Sequence, residues 1–337
     1  MSPSEWRACI GLSAISGLRM LGMFAILPVF AIYAEHLRGG DNLTLVGIAI
    51  GAYGFTQALL QIPCGWWSDR YGRRPVIYIG LAALAAGSFV AAIGHHIYIV
   101  IFGRVLQGAG AISAALMALA ADLTRDEHRT KAMAMIGSTV GAAFALSLVA
   151  GPALDHAVGV PGIFVMTGLL AIAAMAVVYA IVPREVPRGR VPAAPADARL
   201  FAIVVKDPQL LRLDYGVLAL HAALMSLFIA VPFSLRDAGL DVGRHWVVYL
   251  PAMAGSFVLM LPALMRARSP RQLRRLFIAA VALLLAAHIA MPWLMGGIGS
   301  IAVFLVLFFT PFNILEACLP SLVSRMAPAR AKGTAIG

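Results

Sequence analysis

An all-α polytopic membrane protein is the fold class this sequence predicts, on three observations. Of its 337 residues, 61% are apolar and only 12% charged, against about 45–50% and about 25% in an ordinary soluble domain. Mean hydropathy is +0.89 along the chain, which is more apolar side chain than a soluble core of this length can hide. Apolar runs of about 20 residues, enough at about 1.5 Å per residue to cross about 30 Å of hydrocarbon, recur between short polar breaks. The runs are apolar on all sides and rich in Gly and Ala. They therefore read as packed helices and exclude a strand barrel, whose lipid-facing residues alternate.

Ten spans are predicted, over about 8–34, 43–67, 75–94, 97–121, 131–154, 161–182, 212–234, 245–265, 275–294 and 299–325. The first follows Glu5 and Arg7 without a small-residue cleavage site, so it is an uncleaved span and not a secretory signal. Cys9, Cys64 and Cys318 sit inside apolar stretches without paired spacing. They read as buried small residues, and neither a disulfide framework nor a zinc site is expected.

Charge fixes the orientation. The net charge of +11 could suggest nucleic acid. With the N-terminus inside, however, 21 of the 26 Lys and Arg fall in cytoplasmic segments, among them Arg70, Arg73, Arg74, Arg125, Arg129 and Lys131. Only Arg38, Arg236 and Arg244 fall on the other side, and Arg19 and Arg104 lie within spans. That asymmetry is the positive-inside pattern, so the basic excess is topological and no nucleic-acid partner is expected.

The polar stretch 184–211 carries Pro187, Pro192, Pro195 and Pro208 among scattered charges, the composition of a cytoplasmic linker. It separates a six-helix bundle over 1–183 from a second bundle over 212–337. An offset of 201 residues places Arg70 on Arg271, Arg73 on Arg274, Arg74 on Arg275, Arg129 on Arg330 and Lys131 on Lys332. The halves thus read as parallel repeats, a plan that puts a transport site near the bilayer midplane between them. On that reading the second bundle holds four spans and the start of a fifth, and two further spans are expected beyond Gly337.

The loop after the second span reads Gly65-Trp66-Trp67-Ser68-Asp69-Arg70-Tyr71-Gly72-Arg73-Arg74. It resembles the G-x-L-A-D-R-x-G-R-[KR] signature of the major facilitator superfamily, in the loop where that family carries it. Arg104 to Gly110, with Gln107 and Gly108, resembles the family's fourth-span motif. Gly151-Pro152 resembles the core of its fifth-span antiporter motif, with Asp155 and His156 standing where that pattern has glycines. Leu18 to Met23 and Phe312 to Ala317 are similar to the YajR group within the drug–proton antiporter branch. The resemblance implies the major facilitator fold and a proton-driven efflux transporter of the bacterial inner membrane. It further implies that Asp69 caps the N-terminal end of an eleventh helix and favours an outward-open state.

The loop motif also has a physical reading of its own. Gly65 and Gly72 permit close approach and a tight turn. Asp69 can meet Arg73 or Arg129, and Asp122 at the end of the fourth span can accept Arg73, forming a conformational latch.

Ionisable groups within spans are costly and point to function. Arg19, His221 and Glu316 each lie about 14–18 Å from the nearest cytoplasmic-end arginine, near the midplane. Glu316 is the one acidic residue deep in a span. Desolvation disfavours the charged form of a lone carboxylate, which suits such a group to proton coupling. The alternative is a structural ion pair between Glu316 and Arg19. Tyr53, Gln57 and Gln61 recur every four residues on one face of the second span. Tyr53, Gln57, Gln107, His221 and Asn313 are the candidates to line a substrate cavity, although His221 and His288 also read as hydrogen-bonded core residues.

The expected activity is secondary transport by alternating access, proton-coupled, exporting small lipophilic or cationic compounds, by a monomer in the lipid bilayer of the inner membrane. No nucleotide-binding G-x-x-x-x-G-K-[ST] loop, paired catalytic groups or metal-ligand spacing occurs in the sequence, so neither an ATPase, an enzyme nor a cofactor site is expected. A sugar or metabolite permease, with Gln57, Gln107 and Asn313 binding hydroxyls, and a non-transporting sensor are the alternatives.

Overall fold

Apolar faces that must keep every backbone group paired leave helices as the available structure. The computed structural model, which describes residues 1–183, 207–267 and 269–326, consists there of helices joined by short connections, with one bridge between Arg38 and His96. The chain divides into two compact units, Met1–Pro195 and Ala196–Ile336. Most of the expected linker, together with Arg330, Lys332 and the start of an eleventh span, lies outside the described residues.

In the first unit, α1 (Pro3–Ala25) starts at a capping box in which Ser2 and Glu5 satisfy each other's backbone N–H groups. It passes at Ile26 into α2 (Leu27–Ala34), where Pro28 occupies the first turn and its missing donor costs nothing. Asn42 caps α3 (Leu43–Tyr71) by accepting from the Thr44 N–H at 2.9 Å. Gly72, at φ +99°, ends α3 and begins α4 (Arg73–Ala92); that backbone conformation is why a glycine stands there.

The fourth expected span is divided into α5 (Ile97–Gly108) and α6 (Ser113–Leu123). The fifth and sixth expected spans, conversely, run together in α7 (Asp126–Ala180), whose backbone leaves helical geometry only at Gly159, φ +68°. α1 packs along α7, and α4 packs on α5 and α7. Between them Leu12, Ile15, Ile77, Leu81, Ala115, Leu119, Ala174 and Val178 form the buried core.

In the second unit, α8 (Pro208–Asp237) begins four residues before the expected seventh span. Asp207 caps it by accepting from the N–H groups of Gln209 and Leu210, and Pro208 fits its first position. The end of the expected linker, 208–211, is therefore helix. A single 3₁₀ turn, Val242–Arg244, precedes α9 (Trp246–Arg266). α10 (Pro270–Leu294) starts at a second capping box, Ser269 with Gln272, and α11 (Ile298–Met326) completes the unit. α11 packs against α8, α9 and α10, burying Phe304, Leu305, Phe308, Phe309 and Phe312. Rings Phe308 and Phe312 stack with centroids 5.8 Å apart.

Among the described residues, nine helical stretches are long and apolar enough to cross a bilayer. Against ten expected spans, the difference is the join through Gly159. Large apolar side chains such as Phe55, Ile79, Phe102, Tyr179 and Trp293 point outward, as lipid-facing surfaces require.

Candidate functional site

At one end of the first unit the Gly65–Arg74 loop is built around one guanidinium. Arg73 pairs with Asp69, donates to Ser68 Oγ at 2.8 Å, and reaches Asp122 Oδ2 through Nε at 3.3 Å. Ser68 in turn donates to the Gly65 carbonyl at 2.7 Å. The first turn of α4 is thereby tied to the ends of α3 and α6. Of the two expected partners for Asp69 the structure gives Arg73, while Arg129 Nε donates to the Ala121 carbonyl at 3.3 Å. Arg74 donates to the carbonyl of Val178 on α7, and Arg70 lies over the Trp66 ring at 5.4 Å. The carboxylates of Asp69 and Asp122 are about half exposed. Each pair alone is then worth about 0–1 kcal/mol, a strength suited to a contact made and broken.

A second ion pair stands at the same basic end and was not singled out from sequence. Glu5, 4% exposed, accepts from Arg125 through its backbone N–H at 3.0 Å, Nε at 3.1 Å and Nη2 at 3.3 Å. It fastens the first turn of α1 to the first turn of α7. The S-x-x-E pattern from Ser2 to Glu5 signals the cap, but nothing local signals a partner so distant in sequence.

Two arginines are buried within spans of the first unit, and they differ in one respect. Arg104, 3% exposed, is fully engaged. Its Nε donates to the Ala49 carbonyl at 3.2 Å, Nη2 to the Ile50 carbonyl at 3.3 Å and Nη1 to Gln107 Oε1 at 2.9 Å. Its guanidinium also lies 5.1 Å from the Tyr53 ring centre. Gln107 passes the chain on to Ser88 Oγ at 2.8 Å. Gln107 is 1% exposed and hydrogen-bonded at both ends, joining α5 to α4.

Arg19, 2% exposed, donates only through Nη2, to Gln57 Oε1 at 3.2 Å and Ser113 Oγ at 3.0 Å. Its Nε and Nη1 have no hydrogen-bond partner, and neither do Tyr53 Oη and Gln61 Oε1 on the same face of α3 as Gln57. An unsatisfied buried donor costs about 1–3 kcal/mol, and more when charged.

The glycines of the span motifs are close-approach positions. A Cβ at Gly108 would meet the Tyr53 carbonyl and Thr56 on α3, and one at Gly151 would meet the Ala25 carbonyl and Pro28. Gly151-Pro152 therefore marks where α7 crosses the α1–α2 junction. Gly65, by contrast, faces only an ordinary contact with Ala114 at 3.5 Å.

In the second unit Glu316, on α11, lies with Oε2 3.9 Å from His221 Nε2 on α8. His221 Nδ1 is 3.0 Å from the Val217 carbonyl, and its ring meets Phe312 edge-on with centroids 6.3 Å apart. Since a carbonyl only accepts, Nδ1 carries the hydrogen and Nε2 is left to face the carboxylate. Asn313 is turned to α9, donating to Ser256 Oγ at 3.0 Å. His288 Nδ1 is 2.8 Å from the Leu284 carbonyl, at a partly buried position. Cys9, Cys64 and Cys318 are free thiols, all buried.

Membrane-length helices with charge buried in their spans and an ion-pair cluster at a helix end define a polytopic membrane protein. Residues 12–337 match the Major Facilitator Superfamily, and the chain belongs to that family. It is 44% identical over 337 residues to the inner membrane transport protein YajR of Escherichia coli strain K12, covering all of this chain and 74% of that protein. It is 33% identical over 147 residues, 43% of the chain and 36% of the relative, to the class D tetracycline resistance protein of Salmonella ordonez. Among solved structures, a bacterial homologue of the human lysosomal transporter Spinster, inward-facing and occupied, superposes with TM-score 0.75 at 16% identity, over 100% of this chain and 78% of that one. The protein is thus a multi-pass membrane transporter of the major facilitator fold, and not an enzyme.

Proposed function

We propose that the protein is a proton-coupled exporter of small molecules in the bacterial inner membrane, working as a monomer by alternating access with its N-terminus in the cytoplasm. The observation that carries the reading is the Glu316–His221 pair at 3.9 Å. It sets a carboxylate beside an imidazole nitrogen, both side chains about half exposed, within spans, where ionisable groups mark ion and proton pathways. Support for export comes from the likeness of part of the chain to tetracycline resistance proteins. Support for the inner membrane and for orientation comes from the relative YajR and from the distribution of Lys and Arg.

The Asp69–Arg73–Asp122 cluster fits a latch that biases one conformation, because it joins three helix ends through half-exposed charges. The expectation of lipophilic or cationic cargo rests on Glu316 as the one deep carboxylate. The test is reconstitution into liposomes with a panel of such dyes under an imposed pH gradient. Export that follows the gradient and collapses with a protonophore supports the reading, whereas gradient-independent equilibration of every dye would end it.

A further inference from the structure

Arg104 shows that the first unit can saturate a buried guanidinium, using two backbone carbonyls, a glutamine and an aromatic face. Arg19 is as deeply buried, yet both of its partners, Gln57 and Ser113, are neutral, and Nε and Nη1 have none. Three carboxylates of the same unit are engaged by other arginines: Glu5 by Arg125, Asp69 and Asp122 by Arg73. The unsatisfied atoms are also grouped by residue spacing. Tyr53 Oη and Gln61 Oε1 stand four residues to either side of Gln57, the side chain that holds Arg19, so the three share one face of α3 over about 12 Å. Retaining a buried cation without a counter-charge is paid for only if something else supplies the charge.

We propose that Arg19 anchors an anionic oxygen group, a carboxylate in the simplest case, on the molecule this protein transports, with Tyr53 and Gln61 completing the site. The cargo class is then organic acids or zwitterions. This rests on the reading of the chain as a small-molecule transporter and adds an anionic oxygen group to the expected lipophilic or cationic cargo. The carboxylate charge meets the unpartnered nitrogens of Arg19, a charge-assisted contact stronger than a neutral one. Tyr53 Oη is a donor as well as an acceptor and Gln61 Oε1 an acceptor, so a hydroxyl or amine elsewhere on the ligand finds partners too.

The test is thermal unfolding of the purified full-length protein in neutral detergent, with matched acids and primary amides: benzoate and benzamide, salicylate and salicylamide, nicotinate and nicotinamide, phenylalanine and phenylalaninamide. At least one acid is expected to raise the midpoint with an apparent Kd tenfold or more below that of its amide. Arg19→Gln should remove the preference, and Arg19→Lys should keep part of it. Ser113→Ala, which loosens Arg19 while leaving its charge, should weaken acid binding several-fold if Arg19→Gln does not fold.

Acids that never exceed their amides overturn the proposal, as does a preference that survives Arg19→Gln. A response seen only in Glu316→Gln means that the chain's own carboxylate fills the site, and a shift given by phosphatidylglycerol alone assigns it to lipid; either result overturns the proposal. The assay needs no pH gradient. Loss of proton coupling therefore leaves it unmoved, and acid-indifferent binding beside intact gradient-driven export removes this inference alone.

Discussion

Nη1 of Arg104 donates to Oε1 of Gln107 at 2.9 Å, and the bond is one link of a buried chain running from the Ala49 and Ile50 carbonyls through both side chains to Ser88. Every member is satisfied. Satisfied buried networks rigidify what they join, here α3, α4 and α5. Arg19, at equal depth, holds two neutral partners by one nitrogen and leaves two nitrogens bare.

The two arginines should therefore respond to the same substitution with opposite signs. Arg104→Met strands Gln107 Oε1 and removes second hydrogen bonds from two α3 carbonyls, and is expected to cost about 1–3 kcal/mol. Arg19→Met removes an unpaired buried charge and is expected to stabilise the ligand-free protein by about 1 kcal/mol, the common consequence of relieving strain held for function. Thermal unfolding in detergent, both variants beside the parent, reads the sign. A loss of similar size at Arg19 would make it a structural residue like Arg104.

Hydropathy made the spans legible because one run of about 20 apolar residues is needed for each crossing, whatever its sequence. Single-residue geometry was not legible that way. The break between α5 and α6 and the join through Gly159 depend on one or two backbone angles that a span-length average does not register. The start of α8 could have been found, since Asp207-Pro208 is an N-cap followed by proline at the first helical position.

In the site, the Asp69–Arg73 pair was legible because its members are four residues apart on neighbouring helix ends. The bond from Gln107 to Ser88 was not legible because that hydroxyl comes from another helix. Polarity within a span does not say whether a partner is protein or ligand. For the same reason Ser113, which holds Arg19, and the Glu5–Arg125 pair went unnoticed.

Asp69→Asn should impair transport more than it impairs the folded protein. Its carboxylate is 42% exposed and shares Arg73 with Asp122, at 50%, so either pair contributes about 0–1 kcal/mol to stability. A contact that differs between two conformations shifts their populations by its full worth, and about 1 kcal/mol there changes the ratio about fivefold. Initial flux per molecule, normalised to detergent-extracted folded protein, should fall by about that factor in Asp69→Asn and further in Asp69→Asn/Asp122→Asn. Unchanged flux in the double variant would leave the cluster as surface charge.

Orientation is tested by chemistry at two exposed positions. Tyr71, 64% exposed, follows Arg70 at the basic end, and His95 lies in the α4–α5 connection on what should be the opposite face. The native thiols are buried and give a low background. In intact cells, Tyr71→Cys should resist a membrane-impermeant maleimide until the membrane is opened, and His95→Cys should react at once. Reaction of Tyr71→Cys from outside would invert the topology.

The Glu316–His221 pair is the proposed proton carrier. The Val217 carbonyl, 3.0 Å from His221 Nδ1, keeps a hydrogen on that nitrogen, so the nitrogen facing Glu316 at 3.9 Å is the one able to gain or lose a proton. On the proposed reading, carboxylate and imidazole are adjacent proton-binding positions on α11 and α8. Glu316→Gln keeps size and hydrogen bonding but cannot titrate, and should reduce gradient-driven net flux at least tenfold while substrate exchange in the absence of a gradient stays within about threefold. His221→Gln removes only the second position and should change the pH dependence of flux while net transport persists. Net flux and exchange measured side by side on one reconstituted preparation separate this from a structural role, which would lower both together with folding yield. Full pH-dependent flux in the Glu316→Gln variant would take the carboxylate out of the pathway and move the coupling site to His221 or to Asp155 on α7.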